Sequence, residues 1–152
     1  MFVRAVRCEW FERRNDVSAE KPSRTRAQIN ARNRRAGAAW ELSGLKSLRE
    51  LGFDSERLRL SGKQDEGDIA FRHKGQFHVH EYKNVGTWSY AKLGDYLRQA
   101  KEEAENFSAR RFIDPSRTHH AVVLKTHGKG WKEGVVMMPV HEYLRLIGEA
   151  EC

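Results

Sequence analysis

The amino-acid sequence predicts an α/β fold in which a mixed β-sheet lies between helices, and three observations predict it. Two long stretches, Thr25 to Leu51 and Ser89 to Phe107, repeat apolar residues every three or four positions, the period of a helix with one buried face. Between them lie short apolar segments separated by turn-forming residues, the pattern of strands. Beyond the second helix, Ala121-Val122-Val123-Leu124 is apolar without a break, as expected of a central strand covered on both faces.

Length and composition set the frame. At 152 residues and 17.7 kDa the chain has the size of one ordinary domain. With 39% hydrophobic and 32% charged residues it has the apolar content of a folded protein beneath an unusually charged surface. The longest apolar run, Val135 to Val140, falls far short of the roughly 20 residues that span a bilayer, so no membrane partner is expected. Met1 to Arg7 alternates apolar residues with Arg and lacks the apolar centre of a signal peptide. Cys8 and Cys152, at opposite ends, suit neither a disulfide framework nor a Cys-based zinc site. A reducing, cytoplasmic location is expected.

The elements follow in order. An N-terminal arm, residues 1–24, precedes a single unit over residues 25–152. The first helix runs from about Thr25 to Leu51, with Ala38, Leu42, Leu45, Leu48 and Leu51 as its apolar positions and Gly52 as its stop. Short strands are expected at Arg57 to Leu60, Asp68 to Phe71 and Phe77 to Lys83, the last two joined through His73-Lys74-Gly75 as a hairpin. The second helix carries Tyr90, Leu93, Leu97, Ala100, Ala104 and Phe107 on one stripe, with Arg98 set to pair Glu102 and Lys101 to pair Glu105 outside. A turn at Asp114-Pro115-Ser116, the central strand Ala121 to Leu124, a Gly-rich turn at His127 to Gly130 and a strand from Val135 to Met138 come next. Pro139 then suits the first turn of a closing helix with Val140, Tyr143, Leu144 and Ile147.

Charge points toward a partner. The net charge is +7, and residues up to Trp40 hold ten basic side chains (Arg4, Arg7, Arg13, Arg14, Lys21, Arg24, Arg26, Arg32, Arg34, Arg35) against four acidic ones (Glu9, Glu12, Asp16, Glu20), or +6 of that total. An Arg-dominated cluster suits phosphate, because guanidinium is always charged and grips two oxygens at once. A solvated, solubilising face has the same composition. Lys125, Lys129 and Lys132, gathered around the Gly-rich turn, are further candidates for contacts to a nucleic-acid backbone.

The stretch richest in chemistry is Gly67-Asp68-Ile69-Ala70-Phe71 followed by His78-Val79-His80-Glu81-Tyr82-Lys83. Strand side chains alternate, so Glu81 and Lys83 face one way and Tyr82 the other. Asp68, opening the paired strand, can share a hard divalent cation with Glu81, and Lys83 can orient or help deprotonate the attacking water beside them. An acid two places before a Lys arises by chance in a chain this charged, and a surface hairpin with a cross-strand ion pair would carry the same residues. The first helix adds weight: Gly37, Glu41, Gly44, Leu45 and Leu48 share a side, so Glu41 borders an apolar face and needs a cation or hydrogen bonds. It can look toward Asp68 and Glu81, or meet Arg34, Lys46 or water instead. His78 and His80, on the face opposite Glu81, can chelate zinc or pack beneath a helix. Tyr82, Trp88, Tyr90 and Trp131 can stack on bases or belong to the core.

Glu41 on a first helix, Asp68 opening the second of three strands, Glu81-Tyr82-Lys83 on the third and an amphipathic helix after it resemble the PD-(D/E)XK nuclease superfamily. Within it, Arg35 to Glu41 and Ser61-Gly62 are most similar to archaeal-type and phage Holliday-junction resolvases, over about Arg34 to Ile147. Gly67 stands where the superfamily usually has Pro, and Asp65 and Glu66 lie beside Asp68 as competing acids.

The resemblance implies a restriction-endonuclease-like fold with an αβββαβ core. It implies that Asp68, Glu81 and the Tyr82 carbonyl bind Mg²⁺ or Mn²⁺, that Glu41 completes the acidic site and that Lys83 positions the attacking water. It also gives Ser61 the scissile phosphate or a water to hold, and puts Gln99 where a polar residue lies near the site, an ordinary solvent-exposed Gln being the competing reading. The function it implies is metal-dependent cleavage of branched DNA such as a four-way junction, by a homodimer, in a bacterial, archaeal or phage-infected cell. The arm and first helix, with Arg32, Arg34 and Arg35, would follow duplex backbones. Cleavage of ordinary duplex or flap DNA by the same fold, and a non-catalytic DNA-binding module, are the competing readings.

Overall fold

The computed structural model describes residues 24–58, 65–87 and 89–148. It contains α1 (Arg26–Glu50), β1 (Asp54–Arg57), β2 (Ile69–His73), β3 (Gln76–Lys83), α2 (Tyr90–Arg111), β4 (Thr118–Leu124), β5 (Val135–Met137) and α3 (Val140–Ile147), with single 3-10 turns at Pro115–Arg117 and Trp131–Glu133. The first six elements follow the αβββαβ order expected from the sequence. The arm, Cys8, Cys152, Ser61 and Trp88 lie outside the described residues, apart from Arg24 at the end of the arm.

The five strands form one sheet in chain order, and it is mixed: β3 pairs β4 in parallel, and every other neighbour is antiparallel. The parallel step is forced by α2, which carries the chain back across the sheet between the two strands. Lys74 and Gly75 both have positive φ, 48° and 80°, which matches the twist of a two-residue hairpin and sets the β2–β3 register.

Thr25 caps α1 rather than starting it: its side chain accepts from the Gln28 N–H while the Gln28 side chain accepts from the Thr25 N–H, a reciprocal capping box. The buried face of α1 is Trp40, Gly44, Leu45 and Leu48. Ala38, Leu42 and Leu51, expected to be apolar contacts, are exposed, Leu42 by 60%, because only one stripe of a helix can meet a sheet. Trp40 reaches across to donate from Nε1 to the Val123 carbonyl at 3.2 Å. A Cβ on Gly44 would stand 2.4 Å from Tyr82 Cε1, so this glycine is the point of closest approach between α1 and the sheet.

On the other face, α2 lays Ala100, Ala104 and Phe107 over Val79, Ala70, Val122 and Leu124. Tyr90, expected on that stripe, is 94% exposed, since it sits at the first residue of the helix. Lys101 pairs Glu105 as expected, whereas Arg98 pairs Asp95 instead of Glu102. The first strand lies three residues earlier than its expected span. Leu58 donates its N–H to the Asp68 carbonyl, and regular pairing of β1 ends at Arg57 with Ile69. The central strand β4 is three residues longer than its apolar run, because Thr118, His119 and His120 are buried within it. Pro139 is the N-cap of α3 rather than part of its first turn, and Val140, Tyr143, Leu144 and Ile147 are largely exposed. Among the described residues no helix is long and apolar enough to cross a membrane.

Candidate active site

The site forms where β2 begins beside the end of β3. Asp68 precedes the first residue of β2, and its backbone N–H donates to the His80 carbonyl at 3.2 Å. One residue pair further along β3 the ladder has ended, and the Asp68 side chain takes over: Oδ2 accepts the Tyr82 N–H at 2.7 Å. A residue's own N–H and C=O leave a strand along the same edge, so the Tyr82 carbonyl faces the Asp68 side. The Tyr82 side chain turns the opposite way, against Trp40 with ring centres 6.0 Å apart, and its hydroxyl accepts from Trp131 Nε1 at 3.2 Å. Burial pushes that hydroxyl up to about 12, so Tyr82 and the half-buried Trp131 belong to the core rather than to a stacking surface.

Glu81 and Lys83 both face α2. Lys83 Nζ donates to Glu81 Oε1 and to Gln99 Oε1 at 3.1 Å. Gln99 Nε2 donates to Glu81 Oε1 at 3.2 Å and to Glu103 Oε1 at 2.6 Å. The Lys83 ammonium also lies 5.1 Å from the Tyr96 ring centre, within cation–π range.

The electrostatics are those of crowded acids. Burial, followed by the charge of Glu81, pushes Asp68 up to about 8, even though the Tyr82 N–H pulls it down, and Glu41 adds to the rise. Burial pushes Glu81 up to about 7, with Lys83 lowering it and Glu103 raising it. Glu103 is raised as well, first by its burial. Glu41 approaches from α1 on the other side of the sheet. It is held by Arg57, whose Nε donates to Glu41 Oε2 at 3.1 Å while Nη2 bonds the same oxygen. Its partner is therefore neither Arg34 nor Lys46, the latter pairing Glu50.

The donor set, carboxylates and a main-chain carbonyl, is the chemistry that a hard cation such as Mg²⁺ or Mn²⁺ takes. Among the described residues no group of three His, Cys, Asp or Glu side chains stands in a geometry that could hold a metal ion. In this arrangement Lys83 bonds Glu81, Arg57 bonds Glu41, and the Tyr82 N–H bonds Asp68. Asp68, Glu81, Lys83 and Gln99 lie together, and Glu41 is close enough to act on Asp68.

The competing acids are set aside by their partners. Glu66 is buried between Arg110, at 2.6 Å, and Arg111. Its burial works to raise it, and the two guanidiniums outweigh that and hold it below the usual carboxylate range. Asp65 Oδ1 accepts the Glu66 N–H at 2.9 Å. His78 stacks between Phe71 and His119, and burial pushes His78 down to about 4 and His80 to about 3, so these rings pack as neutral groups. Arg32, Arg34 and Arg35 are exposed along α1, and Lys129 and Lys132 along the Gly-rich turn. Lys125 is half-buried, with Nζ 5.5 Å from the Trp40 ring centre. Sequence reasoning missed two residues here, Arg57 and Glu103. Arg57 carried no signal, whereas Glu103, one helical turn after Gln99, could have been found by its spacing.

No family model matches the chain, and no curated protein matches it. Among solved structures, that of Archaeoglobus fulgidus Hjc, a Holliday junction resolvase from an archaeal hyperthermophile, is similar at 18% sequence identity and a TM-score of 0.39, over 61% of this chain and 66% of that chain. The chain thus spans slightly less than two thirds of that structure's length.

Proposed function

We propose that this chain is a divalent-metal-dependent DNA endonuclease, and more narrowly one that cuts branched DNA such as a four-way junction as a homodimer. The observation that carries the reading is the pairing of crowded, buried carboxylates with one ammonium at the end of a strand: Asp68 and Glu81 are pushed to about 8 and about 7, and Lys83 bonds Glu81 beside them. Acids that burial first, and neighbouring acids second, make costly to ionise are stabilised in their charged form by a cation. The resemblance of Glu41, Asp68 and Glu81-Tyr82-Lys83 to the PD-(D/E)XK pattern supports the same reading.

In this proposal Asp68, Glu81 and the Tyr82 carbonyl hold Mg²⁺ or Mn²⁺, with Glu41 as the further acid. When bound, the cation supplies positive charge to the scissile phosphate and makes water easier to deprotonate. Lys83 holds the attacking water by hydrogen bonding and offsets charge on the phosphoryl oxygens. The water oxygen bonds to phosphorus and loses its proton to solvent, the bond from phosphorus to the 3′ oxygen breaks, and that oxygen takes a proton from solvent, leaving a 5′-phosphate and a 3′-hydroxyl. Arg32, Arg34, Arg35, Lys125, Lys129 and Lys132 contact DNA backbones without reading bases. Ser61 belongs to the same proposal and lies outside the described residues. Two opposed nicks require two sites, hence the second copy.

The experiment is a side-by-side digestion of labelled four-way junction, flap and linear duplex with Mg²⁺, Mn²⁺ or chelator. Cutting confined to the metal lanes and strongest on the junction is expected. Equal cutting of all three substrates would remove the junction preference, and cutting in chelator would remove the metal.

A further inference from the structure

Glu103 is the side chain at this site to which neither the sequence pattern nor the resemblance gives a part. It lies on α2 and is only 4% exposed. Its Oε1 accepts from Gln99 Nε2 at 2.6 Å. Among the described residues its other oxygen, Oε2, is buried with no backbone or amide donor, and its carboxyl lies within hydrogen-bonding reach of Glu81. The chain also keeps a glycine beside it: a Cβ on Gly67 would stand 3.5 Å from Glu103 Oε2 and 3.0 Å from Val79 Cγ1. With φ of +92°, position 67 cannot hold the Pro of the superfamily pattern, and the 3.5 Å to Glu103 is an ordinary contact.

We propose that Glu103 is a positioning residue that fixes which way round the Gln99 amide lies and, through that amide, holds Lys83 and Glu81 in place. The orientation follows from the donors. The Gln99 Nε2 atom stands 2.6 Å from one carboxylate oxygen and 3.2 Å from another, on Glu103 and Glu81. Only an NH₂ group can donate to both, and an amide oxygen there would face two acceptors. With nitrogen on that side, Oε1 is turned to the Lys83 ammonium at 3.1 Å, which in turn donates to Glu81. Residues 99 and 103 are one helical turn apart, so α2 itself supplies the spacing. Without the Glu103 acceptor the amide is held on its nitrogen side by Glu81 alone. A rotated amide would then set N–H groups against the Lys83 ammonium and release both members of the pair.

The inference rests on the endonuclease reading for its consequence, yet the side-chain relay is measurable without DNA. Glu103→Leu removes the acceptor and keeps the bulk; Glu103→Gln removes the charge and keeps an acceptor oxygen. In ¹⁵N-labelled full-length protein the Gln99 side-chain NH₂ signals, assigned by their disappearance in Gln99→Met, should be shifted and slow to exchange in the wild type and in Glu103→Gln. In Glu103→Leu they should move to free-glutamine positions. Single-turnover nicking of a labelled junction with Mg²⁺ should fall about tenfold or more in Glu103→Leu, with DNA affinity within about twofold, as expected when a reacting group is misplaced while the grip on DNA stays intact. Glu103→Gln should recover to within about threefold of wild type.

Unmoved Gln99 signals in Glu103→Leu would overturn the proposal. So would a Glu103→Gln variant as defective as Glu103→Leu, which would mean that the carboxylate itself is needed. Glu103→Ala gives the same comparison should the leucine not fit. A wild type that cuts nothing while the Gln99 signals behave as stated would sink the endonuclease reading and leave the relay standing.

Discussion

Asp68 Oδ2 accepts the Tyr82 backbone N–H at 2.7 Å, so a side chain that precedes β2 completes the hydrogen bonding of β3 beyond its last paired residue on that edge, His80 opposite Ile69. The contact ties the position of an acidic side chain to the backbone of the Glu81-Tyr82-Lys83 strand. It also ties the chemistry of the site to the stability of the sheet, and the two can be separated by pH.

Asp68 is pushed up to about 8 and Glu81 to about 7, in both cases first by burial. The folded chain therefore holds protons that the unfolded chain has released above about pH 4. The sign follows: with more protons bound in the folded state, stability is greatest below the unfolded pKa values and is lost as pH rises toward about 8. The buried His78 and His80 are held below their usual range and slope the opposite way up to about pH 6.5, so the acids are read against Asp68→Asn: in chelator, the wild-type urea unfolding free energy should fall relative to that variant between pH 5 and pH 8 by at least about 1.4 kcal/mol, the worth of one pKa unit. Asp68→Asn keeps an acceptor for the Tyr82 N–H and removes the Asp68 titration. Mg²⁺ should raise the melting temperature more at pH 8 than at pH 5, because ligating carboxylates must be ionised. A wild type that gains stability over Asp68→Asn as pH rises through this window would contradict the assignment.

Glu66 has the opposite sign. Although burial works against it, Arg111 and Arg110 hold it below the usual carboxylate range, so its contribution is present above about pH 4.5 and lost as pH falls. Glu66→Ala should cost about 1–3 kcal/mol near neutral pH, since it leaves two half-exposed guanidiniums without that partner. Chemical denaturation at pH 7 measures it. A loss under about 0.5 kcal/mol would mean that the pair is worth no more than a surface ion pair.

Gly44→Ala places a Cβ 2.4 Å from Tyr82 Cε1 and 2.5 Å from its hydroxyl oxygen. Such overlap forces α1 or the Tyr82 ring to move, at a cost of about 1–3 kcal/mol. The melting temperature should drop, whereas Gly37→Ala, with nothing within 4 Å of its Cβ, should not lower it. Equal effects at the two positions would show that α1 is not seated on Tyr82.

Arg32, Arg34 and Arg35 are exposed on α1. If they meet phosphates, each change to Ala should weaken DNA binding alike across sequences and lower the slope of log affinity against log salt by about 0.9. Fluorescence anisotropy over a salt series reads this directly, and unchanged slopes would place the DNA elsewhere.

The order of elements and most of the site's members were legible in the sequence because they depend on local period. Glu81 and Lys83 share a face by strand alternation, and Glu41 borders the buried stripe of α1 by helical spacing. What was not legible depends on tertiary pairing. Arg57 meets Glu41 only because β1 ends beside α1, and the first strand begins earlier than expected because Asp54, Ser55 and Glu56 find partners in Arg72, Phe71 and Ala70. The extension of β4 over Thr118-His119-His120 was hidden by polar residues whose burial is met by partners such as Ser108, which donates to Thr118 Oγ1 at 2.8 Å, and Glu142 beside His119 Nδ1 at 3.3 Å.

The central claim is that Asp68, Glu81 and Lys83 form one cation-dependent cutting site. Its most direct measurement is the single-turnover nicking rate of a labelled four-way junction with Mg²⁺, compared between wild type and Glu81→Gln at matched DNA occupancy. The account predicts a loss of about a hundredfold or more in that variant, with junction affinity unchanged and with wild-type cutting abolished by chelator. Wild-type cutting that survives the chelator, or a Glu81→Gln variant that cuts at the wild-type rate, would contradict it.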